Sequence, residues 1–369
     1  MEQPSALTNQ KPSKAKKQLL KGLLGKLTLL TGSTAICLLL LELIVRSTFP
    51  FFNPKAQILF HVQDGNFLLG PISQQVRQAA LKGDFDLIVS FNKHGFRDAK
   101  DLRDSSERDI FVVGDSFSMG FGVDEDQRYS NLLQAKLGRP VYNISIPEDI
   151  LGYSKLLEYA QNRGAKVRNL IVGVCMENDL RDYRNGKTAF EIWKESAGKN
   201  LSIPTVERLR RLRVWFRSHS ALYIALTFAI KKNPTLQHLL ERAGLAEDTG
   251  ILMANQQFSE TVLESSRDEL VKLASRYNSV ILIVPSRMLW CGPNRAEEAK
   301  IHDRFVQLVR QAGLPVVDMK PIFERNGNPL SHYFTSDSHW NPKGHLAAGD
   351  ALLEYFQSHQ TQCSSSQSF

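Results

Sequence analysis

Leu27–Val45, LTLLTGSTAICLLLLELIV, is the segment that most restricts what this chain can fold into, because nineteen consecutive and mostly apolar residues must find an apolar environment. As a helix the run would extend about 28 Å, close to the roughly 30 Å hydrocarbon core of a bilayer. Its one charge, Glu42, lies near one end with Arg46 at i,i+4 spacing, where pairing and headgroup proximity lower its cost. Pro50 and the Phe51-Phe52 pair mark the helix exit and an interfacial aromatic anchor. Six lysines precede the run (Lys11, Lys14, Lys16, Lys17, Lys21 and Lys26), whereas only Arg46 follows it closely. The positive-inside rule then predicts a basic cytoplasmic tail over 1–26, a transmembrane helix over 27–46 and an extracytoplasmic remainder, periplasmic or at the cell surface. A cleaved signal peptide fits less well, since the run exceeds a usual h-region and no clear Ala-x-Ala site follows. A buried core helix fits less well again, because the basic flank supplies nothing for it to pack against.

The net charge of +8 points toward nucleic acid only until it is located. The six N-terminal lysines against Glu2 account for five charges. Seven Arg and Lys residues against Glu207 within 205–232 account for six more, which leaves the rest of the chain mildly acidic. No zinc-finger or RNA-recognition signature is present, so a nucleic-acid partner is not expected. Four cysteines without a Cys-x-x-Cys pair exclude a disulfide scaffold, a zinc ribbon or a thioredoxin-like motif. One disulfide is possible but nothing requires it, and no metal or cofactor is expected.

Beyond residue 60 five short apolar blocks alternate with helical patterns: Asp109–Val113, Pro140–Ile144, Asn169–Val174, Ser279–Val284 and Leu314–Val317. The helical patterns are Tyr129–Lys136, Tyr153–Asn162, Ser259–Tyr277, Arg295–Ala312 and Lys343–Gln357. That alternation predicts a parallel sheet with helices on both faces, over a domain spanning 60–357. The gap between the third and fourth blocks is too long for one crossover helix, which makes 180–258 a helical insertion. Within it Leu209, Leu212, Trp215 and Phe216 lie near one stripe with arginines between, and Trp193, Trp215 and Phe216 are available to stack on sugar rings. The plain reading is the solvated face of a helix packed on the sheet; the functional readings are an active-site lid or a patch for anionic lipid headgroups or an acidic glycan. The tail 358–369 reads as disordered.

Three chemical signals fall at positions that such a sheet brings to its carboxyl edge, where open α/β sheets bind ligands. Gly114-Asp115-Ser116 follows the first block and offers Ser116 as a nucleophile, although Asp and Ser there also suit a helix cap. Asp337-Ser338-His339 precedes the last helix and supplies the base that a serine hydroxyl needs, with Asp337 orienting His339. Asn178-Asp179 follows the third block, where the Asn178 amide could donate to a developing oxyanion beside the Ser116 backbone N–H, although Asn-Asp is also a common turn.

These motifs resemble the SGNH (GDSL-type) hydrolases, esterases and acyl transferases of flavodoxin-like fold. Gly-Asp-Ser at 114–116 matches the nucleophile block, Glu-Asn-Asp at 177–179 the oxyanion block and Asp-Ser-His-Trp-Asn-Pro-Lys-Gly-His at 337–345 the base block. Asn92-Lys93-His94-Gly95-Phe96-Arg97 is similar to a stretch that precedes the nucleophile in membrane-anchored bacterial members. The resemblance covers roughly 90–180 and 260–357. It implies a flavodoxin-like α/β/α three-layer parallel sheet, and a second backbone oxyanion donor that falls on Glu148, where the family usually has glycine. It also departs in the base block: many members have Asp-x-x-His, which would place Ser336 at the aspartate position, whereas Asp-x-His-Trp resembles the alginate O-acetyltransferase branch acting on cell-surface glycans.

The expected function is a membrane-anchored serine esterase acting on ester-linked acyl groups, chiefly O-acetyl groups of an extracytoplasmic glycan. With a sugar hydroxyl as acceptor the same machinery would be an O-acyltransferase. A catalytically silent glycan-binding or assembly protein is the alternative from another class. Oligomeric state is not legible.

Overall fold

The computed structural model describes residues 14–56, 58, 60–63, 67–80, 82–192, 212, 215–231 and 259–365. Helix α1 (Lys14–Thr48) contains the apolar run, and its stretch Gly22–Thr48 is long and apolar enough to cross a membrane. Two short antiparallel hairpins follow, β1 (His61–Gln63) with β2 (Phe67–Leu69) and β3 (Gln75–Ala79) with β4 (Asp86–Ser90). Both fall outside the five expected blocks, because their apolar pieces are only three residues long, FLL in β2 and LIV in β4, and β3 is interrupted by exposed Gln75 and Arg77. They are held by burying Phe67, Leu69 and Val89 against the domain core.

The five apolar blocks form β5 (Ile110–Val113), β6 (Val141–Asn143), β7 (Asn169–Cys175), β8 (Asn278–Val284) and β9 (Val316–Asp318). All are parallel, in the order β6-β5-β7-β8-β9. They are continuous apolar runs because both faces are covered. Phe111, Val113, Leu170, Val172, Val174, Ile281 and Ile283 face one core, while Ile110, Val112, Ile171, Val280, Leu282 and Val284 face the other. Helices α2 (Ser116–Met119) and α3 (Tyr129–Leu137) lead from β5 to β6, and α4 (Ile150–Asn162) leads to β7. After β7 come α5 (Ala221–Lys231) and α6 (Glu260–Ala274), the latter entering β8. Helices α7 (Met288–Cys291) and α8 (Arg295–Gln311) lead to β9, followed by α9 (Met319–Glu324) and α10 (Pro342–Ser365). Residues of α4, α6 and α8 fill the first core and those of α3, α9 and α10 the second, which is the flavodoxin-like three-layer α/β arrangement.

Four expectations change. The last strand starts at Val316 rather than Leu314, because Gly313, at φ +79°, ends α8 and the Leu314 N–H still donates to Val309. Residues 180–192 join the core, with Leu180 and Tyr183 buried and the Tyr183 N–H donating to Ser265 Oγ at 2.8 Å. Helix α10 continues to Ser365 into the tail read as disordered, since nothing after Gly349 interrupts it. The described part of the insertion beyond residue 192 does not lie on the sheet: α5 packs against α1 and the turn Pro50–Phe52. Trp193, Arg208, Leu209, Arg210, Arg211 and Arg213 lie outside the described residues.

Candidate active site

The first element of the site is the turn that ends β5. A Cβ at Gly114 would stand 2.8 Å from Ser118 Cβ and 2.9 Å from the Gly173 carbonyl oxygen, so only glycine lets the turn close against β7. Asp115 then caps α2, its carboxylate accepting from the Phe117 N–H at 3.0 Å. Ser116 is the first residue of that helix, where backbone N–H groups have no intrahelical acceptor.

The second element is the loop before α10. His339 Nε2 lies 2.8 Å from Ser116 Oγ, and its Nδ1 lies 2.6 Å from Asp337 Oδ1, which also accepts the His339 backbone N–H at 2.9 Å. With Nδ1–H donating to the carboxylate, the Nε2 lone pair faces the serine hydroxyl. The imidazole is held between Phe121, at 4.4 Å between ring centres, and Phe117, at 4.8 Å. Burial pushes the Asp337 carboxyl up, but the hydrogen bond and charge of His339 outweigh it and hold this carboxyl below its ordinary value. Ser336 takes no part: its N–H donates to Asp84 at 2.8 Å and its hydroxyl bonds the same carboxylate. Asn341 caps α10 through the Lys343 N–H at 2.9 Å and donates to the Ser331 and Tyr333 carbonyls, which fixes the loop behind His339.

Arg287, which the sequence motifs do not single out, joins the loops. It donates to the Asp337 and Thr335 carbonyls at 3.0 and 3.3 Å, while its own N–H donates to Glu177 at 2.9 Å. Its only sequence signal is a cation just past the end of β8. Arg97, from the Asn-x-x-Gly-Phe-Arg stretch, is buried and clamps the far end of α2 by donating to the Gly120 carbonyl and, at 2.6 Å, to that of Val123. Burial beside Arg128 pushes its guanidinium down to about 9. Asn92 forms the turn that delivers it, accepting from the His94 and Phe96 N–H groups.

Asn178 reaches the same edge. Its amide donates to Asp115 Oδ2 at 3.3 Å, which leaves the second N–H of that amide for a ligand. Burial raises the carboxyls of Asp115 and Asp179. Asp179 closes the turn after β7 by accepting from the Cys175 N–H at 2.6 Å and the Tyr153 hydroxyl at 2.8 Å. Glu148 does not serve as expected. Its N–H is engaged with the Ile146 carbonyl at 2.6 Å in a tight turn, and its carboxyl, pushed up to about 8 by burial, accepts from the Leu68 N–H at 2.6 Å, joining β2 to α4. Among the described residues no group of three or more His, Cys, Asp or Glu side chains is arranged to hold a metal ion.

Residues 242–369 match the family model of the SGNH hydrolase-like domain, acetyltransferase AlgX. Among solved structures, the chain is similar to a lipolytic G-D-S-L family member from Veillonella parvula, at 11% identity over 68% of this chain and 98% of that one, with a TM-score of 0.39. It is similar to a lipase/acylhydrolase from Enterococcus faecalis at 8% identity, over 68% and 96% of the two chains, with a TM-score of 0.40. A carbohydrate esterase family 2 enzyme with its carbohydrate-binding domain from Corynascus thermopiles (Myceliophthora fergusii) shows 12% identity, 69% and 67% coverage and a TM-score of 0.34. No curated protein matches the chain. Residues 242–369 thus resemble the SGNH hydrolase-like domain of AlgX, and the serine–histidine–aspartate geometry beside that match is that of an enzyme of ester chemistry, a hydrolase or an acetyltransferase.

Proposed function

We propose that this SGNH-type enzyme is a serine acyl hydrolase that removes ester-linked acyl groups, chiefly O-acetyl groups, from an extracytoplasmic glycan. The observation that carries the reading is the continuous relay from Ser116 Oγ through His339 to Asp337, at 2.8 and 2.6 Å. Ser116 Oγ attacks the acyl carbonyl as His339 Nε2 takes its proton. The Ser116 N–H and the free N–H of Asn178 stabilise the oxyanion, and Asp337 stabilises the imidazolium. His339 then protonates the departing alkoxide, leaving an acyl-serine. Water, deprotonated by His339, attacks that ester and regenerates the serine. The domain spans 60–357 and is tethered by α1, with residues 1–26 in the cytoplasm, a placement supported by the lysine asymmetry across the apolar stretch.

The match to an acetyltransferase domain over 242–369 favours a second reading, in which a sugar hydroxyl replaces water in the second half-reaction. Supplying an activated acetyl ester with and without an oligosaccharide acceptor, and following products by mass, separates the two. Hydrolysis predicts free acetate in both reactions, lost in Ser116→Ala. Acetylated sugar formed in preference to acetate makes the enzyme a transferase, and absence of both products with every ester overturns the relay.

A further inference from the structure

Glu42, the one charge within the apolar run, is tied to the insertion. Its Oε1 accepts from the Ala221 N–H at 2.8 Å, and its Oε2 accepts from the Leu222 N–H at 2.9 Å and from Ser220 Oγ at 2.8 Å. Arg46 Nε donates to the same carboxylate at 2.6 Å, and another of its nitrogens donates to the His219 carbonyl. Glu42 and Arg46 on α1 thus cap the start of α5, whose sequence ALYIALTFAIK has no charge before its last residue. At the other end of the contact Phe228 meets Phe51 and Phe52 edge-on, with ring centres 5.9 and 5.6 Å apart. Glu42 lies six residues before Thr48, about 9 Å along the helix axis. From Ala221 to Phe228, α5 rises about as far. The two helices therefore run side by side, and α5 begins about 9 Å below the end of α1.

Resting on the reading of α1 as a membrane anchor, we propose that α5 is a half-helix embedded beside it in the outer half of the bilayer, with lipid acyl chains as the partner of its free face. At eleven residues it is about 16 Å long, too short to cross, so the chain enters and leaves on the same side. A helix start buried in hydrocarbon leaves orphan N–H groups that water cannot satisfy. The Glu42 carboxylate answers that need, with Arg46 as its counter-charge, which accounts for an acidic residue inside the apolar run. Leu222, Leu226 and Ala229 share one face by helical spacing, and Leu226 is 53% exposed although α5 packs on α1 through another face. Just before the helix Trp215 is 53% and Leu212 50% exposed. An apolar surface of this kind continuous with a transmembrane helix fits lipid better than water. The sequence turns cationic immediately after the apolar stretch, at Lys231-Lys232, where the chain would reach the headgroups. The insertion then fixes how the catalytic domain stands on the membrane rather than covering the site as a lid.

Nitroxide labels on single cysteines in the full-length protein test this. The protein is placed in phosphatidylethanolamine–phosphatidylglycerol bilayers, in a background with the four native cysteines replaced and ester hydrolysis retained. The readout is collision with oxygen, enriched in lipid, relative to a water-soluble nickel chelate. Leu226→Cys is expected to match Leu38→Cys on α1 and to exceed Lys272→Cys on α6 severalfold in the oxygen-to-nickel ratio. If position 226 behaves like 272 while 38 behaves as lipid-exposed, the half-helix is overturned and the anchor stands. If 38 also behaves like 272, the anchor reading itself falls and the half-helix with it. Adding Glu42→Ala should bring the ratio at 226 down to that at 272, and an unchanged ratio would overturn Glu42 as the device that seats α5.

Discussion

Asparagine at position 337 is the substitution that most sharply separates charge from geometry in the relay. Asp337 Oδ1 accepts both from His339 Nδ1, at 2.6 Å, and from the His339 backbone N–H, at 2.9 Å. An asparagine oxygen accepts both in the same place, and the loop stays braced because Arg287 binds the backbone carbonyl of residue 337, not the side chain. What disappears is the charge facing the imidazolium that forms when Ser116 loses its proton. Two opposite charges about 4 Å apart are worth about 4 kcal/mol at an effective dielectric of about 20 and about 1 kcal/mol in bulk water. With side chains 28% and 19% exposed, Asp337 and His339 lie between these limits. A loss of about 2–3 kcal/mol from transition-state stabilisation lowers kcat by about 30- to 150-fold. The assay is kcat and KM on an activated acetyl ester, with the melting temperature as a fold control. KM should hold, and Ser336→Ala should stay near wild type because that side chain bonds Asp84. A loss below about fivefold, the worth of a fully solvated pair, would refute the role given to the Asp337 charge. A larger loss in Ser336→Ala than in Asp337→Asn would move the orienting role to Ser336. Since the folded-state pKa of Asp337 is depressed, the stability it contributes is present above the ordinary value of 3.8 and lost as pH falls through the folded value, so the two proteins should converge in stability in acid.

Ser116→Ala and His339→Ala should each reduce acyl release to near background, with the double variant little worse than either, and additive losses would show that the two do not share a step. Glu148, raised from 4.5 to about 8, loses its favourable contribution as pH rises from 4.5 through 8, so wild-type melting temperature should fall across that window more than that of Glu148→Gln, by an amount equivalent to a few kcal/mol at most; parallel curves would contradict the buried neutral acid. Gly114→Ala should destabilise by about 1–3 kcal/mol or more in denaturant unfolding, because the added methyl meets Ser118 and the Gly173 backbone, and a neutral result would mean that the turn relaxes freely.

The strands, and the edge of the sheet that carries chemistry, were legible because they depend on local pattern. A parallel strand covered on both faces must be a continuous apolar run, so IFVV, NLIVGV and SVILIV declare themselves, and the loops that follow or precede them place Ser116, Asn178 and His339 at one carboxyl edge. The hairpins before β5 were not legible, because their burial comes from a core completed far along the chain. Partners of individual polar groups were decided only by the tertiary structure. Whether Asp337 or Ser336 faces His339 turns on Asp84, which takes Ser336 from 252 residues away. The Glu148 amide, which the family resemblance makes an oxyanion donor, is instead consumed by a tight turn onto Ile146 that residue type does not encode. Likewise Glu42 reads as a lone charge in an apolar helix until α5, about 180 residues later, presents its N–H groups to it. Hydrophobic periodicity is a property of neighbouring residues and survives in any fold that buries them, whereas a hydrogen bond is made only when two distant segments close to within 3 Å or so, and only the assembled chain sets that distance.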